Sequence, residues 1–184
     1  ITDESWKSNN DGAIRMSDVY NGETYDATKK LTGWNQPGFD ETNWGRVRIG
    51  NYSNNLIASE GAPIRKIQEI KPVKVFKSPK GSLLVDMGQN MVGWVRLKVT
   101  GPKGTVVKIR HAEVLDKYGE FYTTNLRSAK CELNYTLAGT GEEIYEPRFT
   151  FMGFRFVEIT GFPGTLTLDN ITGVVVHSDM KPTG

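Results

Sequence analysis

Turn-forming residues recur at short intervals along the chain, and they constrain its fold more than any other feature of the sequence. They fall at Asn10-Asp11-Gly12, Asn21-Gly22, Pro37-Gly38, Pro79-Lys80-Gly81, Gly101-Pro102-Lys103-Gly104, Tyr118-Gly119, Gly139-Thr140-Gly141 and Pro163-Gly164. Between them lie runs of roughly 5–10 residues rich in Val, Ile, Thr, Phe and Tyr. Convincing helical periodicity is absent. The pattern therefore predicts an all-β sandwich or barrel.

Alternating residues assign the faces of the predicted strands, because successive side chains of a strand point to opposite sides. In 94–99 one face carries Val95, Leu97 and Val99. In 105–115 one face carries Val107, Ile109, His111, Glu113 and Leu115. In 149–160 one face carries Phe149, Phe151, Gly153, Arg155, Val157 and Ile159, and the other carries Met152, Phe154 and Phe156. Residues 173–178 predict a last buried strand.

The composition changes near residue 62. Residues 1–62 are richer in Asn, Asp, Gly and Trp and poorer in Val and Ile than the rest, and Asn21-Gly22 predicts a tight hairpin turn. We predict that 1–62 is the carboxy-terminal part of a preceding β-domain plus a linker. Residues 63–178 then form a β-sandwich domain, and 179–184 are a linker to a further domain.

Charge and cysteine content limit the classes of partner and cofactor. The net charge is +2, from 23 basic and 21 acidic residues, and no Lys/Arg run reaches five. We therefore expect no nucleic-acid partner, and without an apolar run of 18 residues we expect no membrane partner. The single cysteine, Cys131, excludes an internal disulfide and a Cys-rich zinc site. We expect no cofactor and no metal; the compartment stays open between periplasm, cell exterior and cytoplasm.

The most interesting pair of polar residues is His111 with Glu113. At positions i and i+2 of one predicted strand they point the same way, with Arg110 or Arg155 as a possible third member. They form either an acid/base or sugar-binding pair, or a structural hydrogen bond at the strand end. Trp94, like Trp6, Trp34 and Trp44, either stacks on a sugar ring or serves hydrophobic packing or an interdomain contact.

Other catalytic and metal chemistry has weaker support. Glycoside hydrolysis needs two carboxylates that flank the scissile bond, and no spacing marks a pair among Asp86, Glu113 and Asp116. No Gly-x-Ser-x-Gly elbow is present, and Cys131 fits a small core residue. A calcium site in the loops around Asn9-Asn10-Asp11 stays an alternative without EF-hand spacing.

The stretch VDMGQNMVGWVRLKV, residues 85–99, sets polar residues between two apolar segments. We predict a structural turn at Asp86, Gly88, Gln89 and Asn90. Gly88 and Gly93 would permit sharp bends, and the side chains of Asp86, Gln89 and Asn90 would hydrogen-bond the connection to its neighbours.

Four motifs in this region stand in a characteristic order: D-x-G-Q-N-x-x-G-W, G-x-x-x-x-x-R-H-A-E-x-L, Y-x-x-N-L-R-x-A and E-P-x-F-T-x-x-G-F-R. The stretch from VDMGQNMVGWVRLKVTGPKGTVVKIRHAEVLDKYGEFYTTNLRSA to YEPRFTFMGFRFVEITGFPG closely resembles bacterial α-L-rhamnosidases. Upstream, TDESWKSNNDGAIRMSDVYNGETYDA and GWNQPGFDETNW resemble the end of the amino-terminal β-domain of that family. The resemblance spans nearly the whole chain.

The resemblance implies an antiparallel jelly-roll or concanavalin-like β-sandwich with a non-catalytic, structural role. In this family the two acids that hydrolyse terminal α-L-rhamnosides with inversion lie in an (α/α)6 barrel, which would begin after 179–184. We therefore expect the chain alone to be inactive, with the barrel and the amino-terminal domain of the same parent chain as its partners. The alternative is a carbohydrate-binding module for rhamnose or rhamnosylated glycans. A third reading is an independent enzyme that uses His111 and Glu113.

Overall fold

The computed structural model describes residues 3–51, 54–181 and 183, and it confirms an all-β fold. The strands are β1 (Lys7–Ser8), β2 (Ile14–Asp18), β3 (Gly22–Asp26), β4 (Gly45–Arg46), β5 (Ile64–Ile70), β6 (Lys74–Lys77), β7 (Leu83–Thr100), β8 (Val106–Ala112), β9 (Glu132–Thr136), β10 (Glu142–Tyr145), β11 (Met152–Thr160) and β12 (Ile171–Ser178). Three short 3-10 turns lie at Ala27–Lys29, Thr124–Leu126 and Leu168–Asn170. Among these described ranges, no helix is long and apolar enough to cross a membrane.

Within the described residues, ten strands form one curled sheet around the long strand β7. The strand order is β2-β3-β9-β8-β11-β7-β12-β5, and β6 and β10 also pair with β7. The first half of β7 pairs with β6 and β11, whereas its second half pairs with β12 and β10. Because its two halves have different neighbours, β7 connects two parts of the sheet, and side chains from both parts share one core.

The first part of the chain contributes two strands to this sheet. β2 and β3 form the hairpin that Asn21-Gly22 predicts, with Asp18 paired to Gly22. The Asp18 carboxylate accepts hydrogen bonds from the Asn21 and Tyr20 N–H groups, which fixes the turn. β3 then runs parallel to β9, from Gly22 opposite Glu132 to Asp26 opposite Thr136.

The core follows the predicted alternation in most strands. Val95, Leu97 and Val99 of β7 are buried, as are Val107, Ile109 and His111 of β8. In β11 the buried face changes along the strand: Met152 and Phe154 are buried first, and Val157 and Ile159 later. The pairing with β7 jumps between Phe154 and Phe156, and this irregularity exchanges the two faces.

The same irregularity contains the motif predicted to be a turn. Phe154 pairs with Met91 and Phe156 with Asp86, so residues 87–90 bulge out of β7 opposite Arg155. Gly88 has a φ of +81° and donates its N–H to Asp86 Oδ1 over 2.7 Å. The segment is thus a bulge inside one continuous strand rather than a connection between two strands.

Candidate functional site

An open cleft of about 660 Å³ lies between β3, β10 and the segment that follows β10. Its walls combine aromatic rings, carboxylates and cationic side chains. They include Tyr25, Lys30, Lys66, Trp94, Tyr135, Glu142, Glu143, Tyr145, Glu146, Arg148 and Phe149. A concave site with aromatic walls and a few convergent polar groups is the usual form of a small-molecule site.

Three tyrosines from three strands form the floor of the cleft. Tyr135 and Tyr145 stack with ring centroids 4.5 Å apart, and Tyr25 lies 5.8 Å from Tyr135 and 5.4 Å from Tyr145. Pairs at these distances stabilise a fold beyond the area that they bury. The three rings thus pack as one cluster that joins β3, β9 and β10.

Glu143 is buried at one end of the tyrosine cluster and has a full set of donors. Tyr135 Oη donates to Glu143 over 2.8 Å, and the N–H groups of Ala138 and Gly139 donate over 2.9 and 2.8 Å. Burial alone would raise the pKa of Glu143, but the hydrogen bonds outweigh burial and hold the pKa below its usual value. The pKa of the Tyr135 hydroxyl is raised, by burial and by its bond to this carboxylate.

Glu23 is fully buried at the other end of the cluster. Tyr145 Oη donates to Glu23 Oε1 over 2.9 Å, and the Arg148 backbone N–H donates to Oε2 over 3.0 Å. Burial first, and the charge of Glu23 second, raise the pKa of Tyr145, so this hydroxyl stays protonated and remains a donor. Glu23 thus ties β3 to the segment that follows β10.

Glu146 forms the wall beside Trp94. It accepts hydrogen bonds from Lys66 Nζ at 2.6 Å, Arg96 Nε at 2.6 Å and Trp94 Nε1 at 2.9 Å. Although burial would raise the pKa of Glu146, bonds from Lys66, Arg96 and Trp94 keep it low. Arg96 also contacts Glu69 at 2.7 Å, so this network joins β5, β7 and residue 146.

Of the binding residues predicted from the sequence, Trp94 lines this cleft and the other four lie elsewhere. Arg110 Nη1 pairs with Glu158 over 2.8 Å, and its guanidinium lies over Phe121. Arg155 makes a two-pronged pair with Asp86 at 2.9 and 3.0 Å. The hydrogen bond from Arg155 lowers the pKa of Asp86 below its usual value.

His111 and Glu113 do not share a face, and the prediction that they do is wrong. β8 ends at Ala112, where the chain bends, so the alternation stops between the two residues. His111 is fully buried; Nδ1 lies 2.9 Å from the Cys131 carbonyl oxygen, and the ring packs edge-on against Phe154. Glu113 is exposed and accepts from Asn90 Nδ2 over 3.3 Å.

The structure gives the bulge residues different surroundings. Asp86 accepts hydrogen bonds from the Gly88 N–H and from Arg155, and Asn90 donates a hydrogen bond to Glu113. Gln89 is exposed, and its side chain makes no hydrogen bond within the described residues. A structural role for this motif, and a binding role for Arg110, His111, Glu113 and Arg155, stay predictions.

Sequence reasoning missed most of the cleft, namely Tyr25, Glu23, Tyr135, Glu143, Tyr145, Glu146 and Arg148. One signal was available: Glu143 lies at an inward position of its strand, before Tyr145 on the same face. A buried carboxylate needs donors, and Tyr135, which faces the core from the neighbouring part of the sequence, supplies one to Glu143. No local sequence pattern indicates that Glu23 is buried beside the cleft, because its two main hydrogen-bond donors lie more than 120 residues away in the sequence.

Two family models match the chain. The model described as "Bacterial alpha-L-rhamnosidase concanavalin-like domain" matches residues 76–177, more than half of the chain. The chain belongs to this family. The model described as "Alpha-L-rhamnosidase N-terminal domain" matches residues 1–68. The concanavalin-like match agrees with the predicted fold class and with the resemblance on which it was based.

Known α-L-rhamnosidases resemble this family member over nearly its whole length. An α-L-rhamnosidase of Streptomyces avermitilis is 49% identical over 169 residues, covering 91% of this chain and 16% of the relative. The crystal structure of the S. avermitilis enzyme complexed with L-rhamnose superposes with a TM-score of 0.91 at 47% identity, over 97% of this chain and 17% of that one. The crystal structure of native α-L-rhamnosidase from Aspergillus terreus superposes with a TM-score of 0.92 at 41% identity. The match covers 98% of this chain and 21% of that one.

The chain thus spans about a fifth or less of the length of these relatives. In and around its cleft, the carboxylates of Glu23, Glu143 and Glu146 already accept hydrogen bonds from neighbouring donors. What the cleft leaves available is aromatic surface and cationic donors.

Proposed function

We propose that this chain is a non-catalytic accessory β-sandwich of an α-L-rhamnosidase, with a structural and docking role beside the catalytic part. The observation that carries the proposal is the family match together with the short span of the relatives that the chain covers. The parent would hydrolyse terminal α-L-rhamnosides with inversion, using acids in an (α/α)6 barrel. The barrel and the amino-terminal domain of the same parent are the proposed partners.

An exposed edge strand supports a docking role. β5 lies at the end of the sheet, and its residues from Ile64 to Glu69 are exposed on both faces. Ile64 and Ile67 are 63% and 43% exposed. Uncovered edge strands with apolar side chains invite unwanted pairing, and proteins usually cover them. We infer that other parts of the parent chain cover β5.

Two experiments test this proposal. We expect the 184-residue chain to leave an aryl α-L-rhamnoside unhydrolysed; turnover by the purified chain would overturn the non-catalytic role. For docking, Ile67→Lys is compared in the 184-residue chain and in the longer parent. We expect this substitution to change the melting temperature of the 184-residue chain little and to lower the melting temperature of the parent.

Val106→Lys is the matched control, since Val106 is 48% exposed but lies on β8. This control should leave both proteins unchanged. Equal effects of Ile67→Lys in the two proteins would mean that nothing covers β5 in the parent.

The cleft favours a second candidate function, a carbohydrate-binding module for rhamnose or rhamnosylated glycans. Tyr25, Trp94 and Phe149 present aromatic surface beside polar groups, as sugar-binding clefts do. The test is an NMR titration of the isotope-labelled chain with L-rhamnose and a rhamnosylated disaccharide. Saturable shifts at these three residues support the module; a flat titration on a folded spectrum rejects it for these ligands.

A further inference from the structure

The acceptors around the cleft already have donors. Glu143 and Glu146 each accept three hydrogen bonds, and Glu23 accepts from Tyr145 and the Arg148 backbone. Glu142, at the rim, pairs with Lys98 over 3.0 Å. A ligand would therefore find few carboxylate oxygens free to accept its own hydroxyl groups.

Several hydrogen-bond donors of the cleft, by contrast, have no partner among the described side chains. Within the described residues, the Lys30 ammonium, the Arg148 guanidinium and the Tyr25 hydroxyl line the cleft without a side-chain hydrogen bond or ion pair. The charge of Arg148 is close enough to Tyr25 to oppose the rise in the tyrosine pKa that burial causes. Within the part of the chain that the structure describes, two unpaired cationic side chains and a hydroxyl thus line one concavity.

Aromatic surface borders these donors. Phe149 is 68% exposed, although a phenylalanine gains free energy when it is buried. Trp94 is half-buried, its Nε1–H is already given to Glu146, and Lys66 Nζ lies 5.6 Å from the ring centroid, so the indole offers the cleft its remaining apolar surface and no donor. The flat, C–H-rich faces of a pyranose ring fit such aromatic walls.

We propose that the cleft binds an acidic saccharide, a glycan that contains uronic acid units. The uronate carboxylate contacts Arg148 and Lys30, the Tyr25 hydroxyl bonds a ring hydroxyl, and the sugar faces contact Phe149 and Trp94. Arginine suits this role because its planar guanidinium can bind a carboxylate through two parallel hydrogen bonds. This inference rests on one part of the second candidate function, sugar binding at the cleft, and it assigns uronic acid units rather than rhamnose as the sugar recognised.

The first test is an NMR titration of the isotope-labelled 184-residue chain with four probes: trigalacturonate, galactotriose, L-rhamnose and the peptide triglutamate. We expect saturable shifts with trigalacturonate at Tyr25, Lys30 and residues 146–149. Galactotriose, which lacks the carboxylates, and triglutamate, which lacks the sugar rings, should bind at least about tenfold more weakly, because each loses one half of the contacts. Added salt should weaken trigalacturonate binding.

The second test uses variants that keep the fold. Arg148→Gln retains the backbone N–H that holds Glu23, and Lys30→Gln alters an exposed side chain. Each should raise the Kd for trigalacturonate about tenfold, the value of one charge-assisted contact. Lys77→Gln is the matched control, because Lys77 is an exposed lysine of β6 outside the cleft, and its Kd should equal that of the unaltered chain.

Each result decides between the proposals. Equal binding of galactotriose and trigalacturonate, or of L-rhamnose and trigalacturonate, would overturn the acidic class while carbohydrate binding stands. Equal binding of triglutamate would make the cleft an anion site for peptides and overturn the saccharide. A flat titration with all four probes on a folded spectrum would reject both the acidic class and sugar binding. Unchanged Kd values for Arg148→Gln and Lys30→Gln would place any binding elsewhere.

Discussion

Glu23 shows how one residue couples distant parts of this chain. It is fully buried, and its two main donors belong to Tyr145 and Arg148, both beyond residue 140. A buried carboxylate is tolerated only where such donors compensate its desolvation. The hydrogen bonds of Glu23 therefore hold the first hairpin against the cleft, and any ligand in the cleft depends on them for the position of the Arg148 backbone.

We predict that Glu23→Gln lowers the free energy of unfolding by about 1–3 kcal/mol, because one buried donor loses its acceptor. Urea denaturation measures the change. Glu142→Gln is the control: Glu142 is exposed and pairs with Lys98 at the surface, so its loss should cost less than about 0.5 kcal/mol. Equal costs for the two variants would contradict a special role for Glu23.

His111 gives a prediction for the dependence of stability on pH. Burial lowers its pKa to about 4, from an ordinary value of 6.5, and the hydrogen bond to the Cys131 carbonyl opposes the shift. The unfolded chain then binds a proton between pH 6.5 and 4 that the folded chain does not bind. The stabilisation is complete above pH 6.5 and is lost as the pH falls toward 4.

Replacing His111 with Asn should remove roughly 3 kcal/mol of the stability difference between pH 7 and pH 4. The measurement is the free energy of unfolding in urea at several pH values, as the difference between the variant and the unaltered chain. His177→Asn, at an exposed histidine of β12, should leave that difference unchanged. A parallel pH dependence of the unaltered chain and His111→Asn would mean that His111 titrates normally.

At the scale of elements, the strands were predictable from the sequence and the bulges were not. Alternation placed Val95, Leu97 and Val107 correctly, because it is a local property of an extended chain. The exchange of faces in β11 depends on its pairing with β7, more than 60 residues away. His111 and Glu113 were misplaced for a similar reason, since the alternation stops where the pairing of β8 ends.

A substitution at Gly93 tests how closely β7 and β12 approach each other. Its φ is +151°, and a Cβ atom there would lie 1.8 Å from the Val174 carbonyl oxygen. We predict that Gly93→Ala costs at least about 2 kcal/mol, because the strands must separate or the backbone must be strained. Chemical denaturation provides the measurement.

Gly153→Ala is the matched control on a neighbouring strand. A Cβ atom at Gly153 meets its nearest neighbour, Glu113 Oε1, at an ordinary 3.5 Å. Its substitution should change the free energy of unfolding by less than about 1 kcal/mol. If Gly93→Ala were as mild as this control, β7 and β12 would not be in tight contact at Gly93.

At the scale of the whole molecule, the predicted division at residue 62 rests on a change in composition alone. The change in composition is real, and residues 54–62 form an exposed connection without regular structure. Yet β2 and β3 belong to the same sheet as the later strands, through the parallel pairing of β3 with β9. Pairing between residues about 110 positions apart leaves no periodic pattern, so the sequence predicted a separate segment instead. The division stays a prediction.

Removing residues 1–62 tests the division directly. We predict that the chain 63–184 is less stable than the whole chain by at least about 3 kcal/mol, or fails to fold. The truncation exposes the edge of β9 and leaves Tyr145 Oη and the Arg148 N–H without the Glu23 carboxylate. It also removes Tyr25 and Ala27, which pack against the shared core.

The control is a shorter truncation that removes residues 1–10 and keeps β2 and β3. Within the described part of that segment, β1 makes a two-residue pairing with β4 outside the main sheet, so its loss should cost little. Urea denaturation of the three chains compares them. If 63–184 were as stable as the whole chain, residues 63–178 would be an independent domain, and the hairpin of residues 14–26 would only rest against it. If both truncations destabilised the chain equally, the loss would come from residues 1–10 rather than from the parallel pairing of β3 with β9.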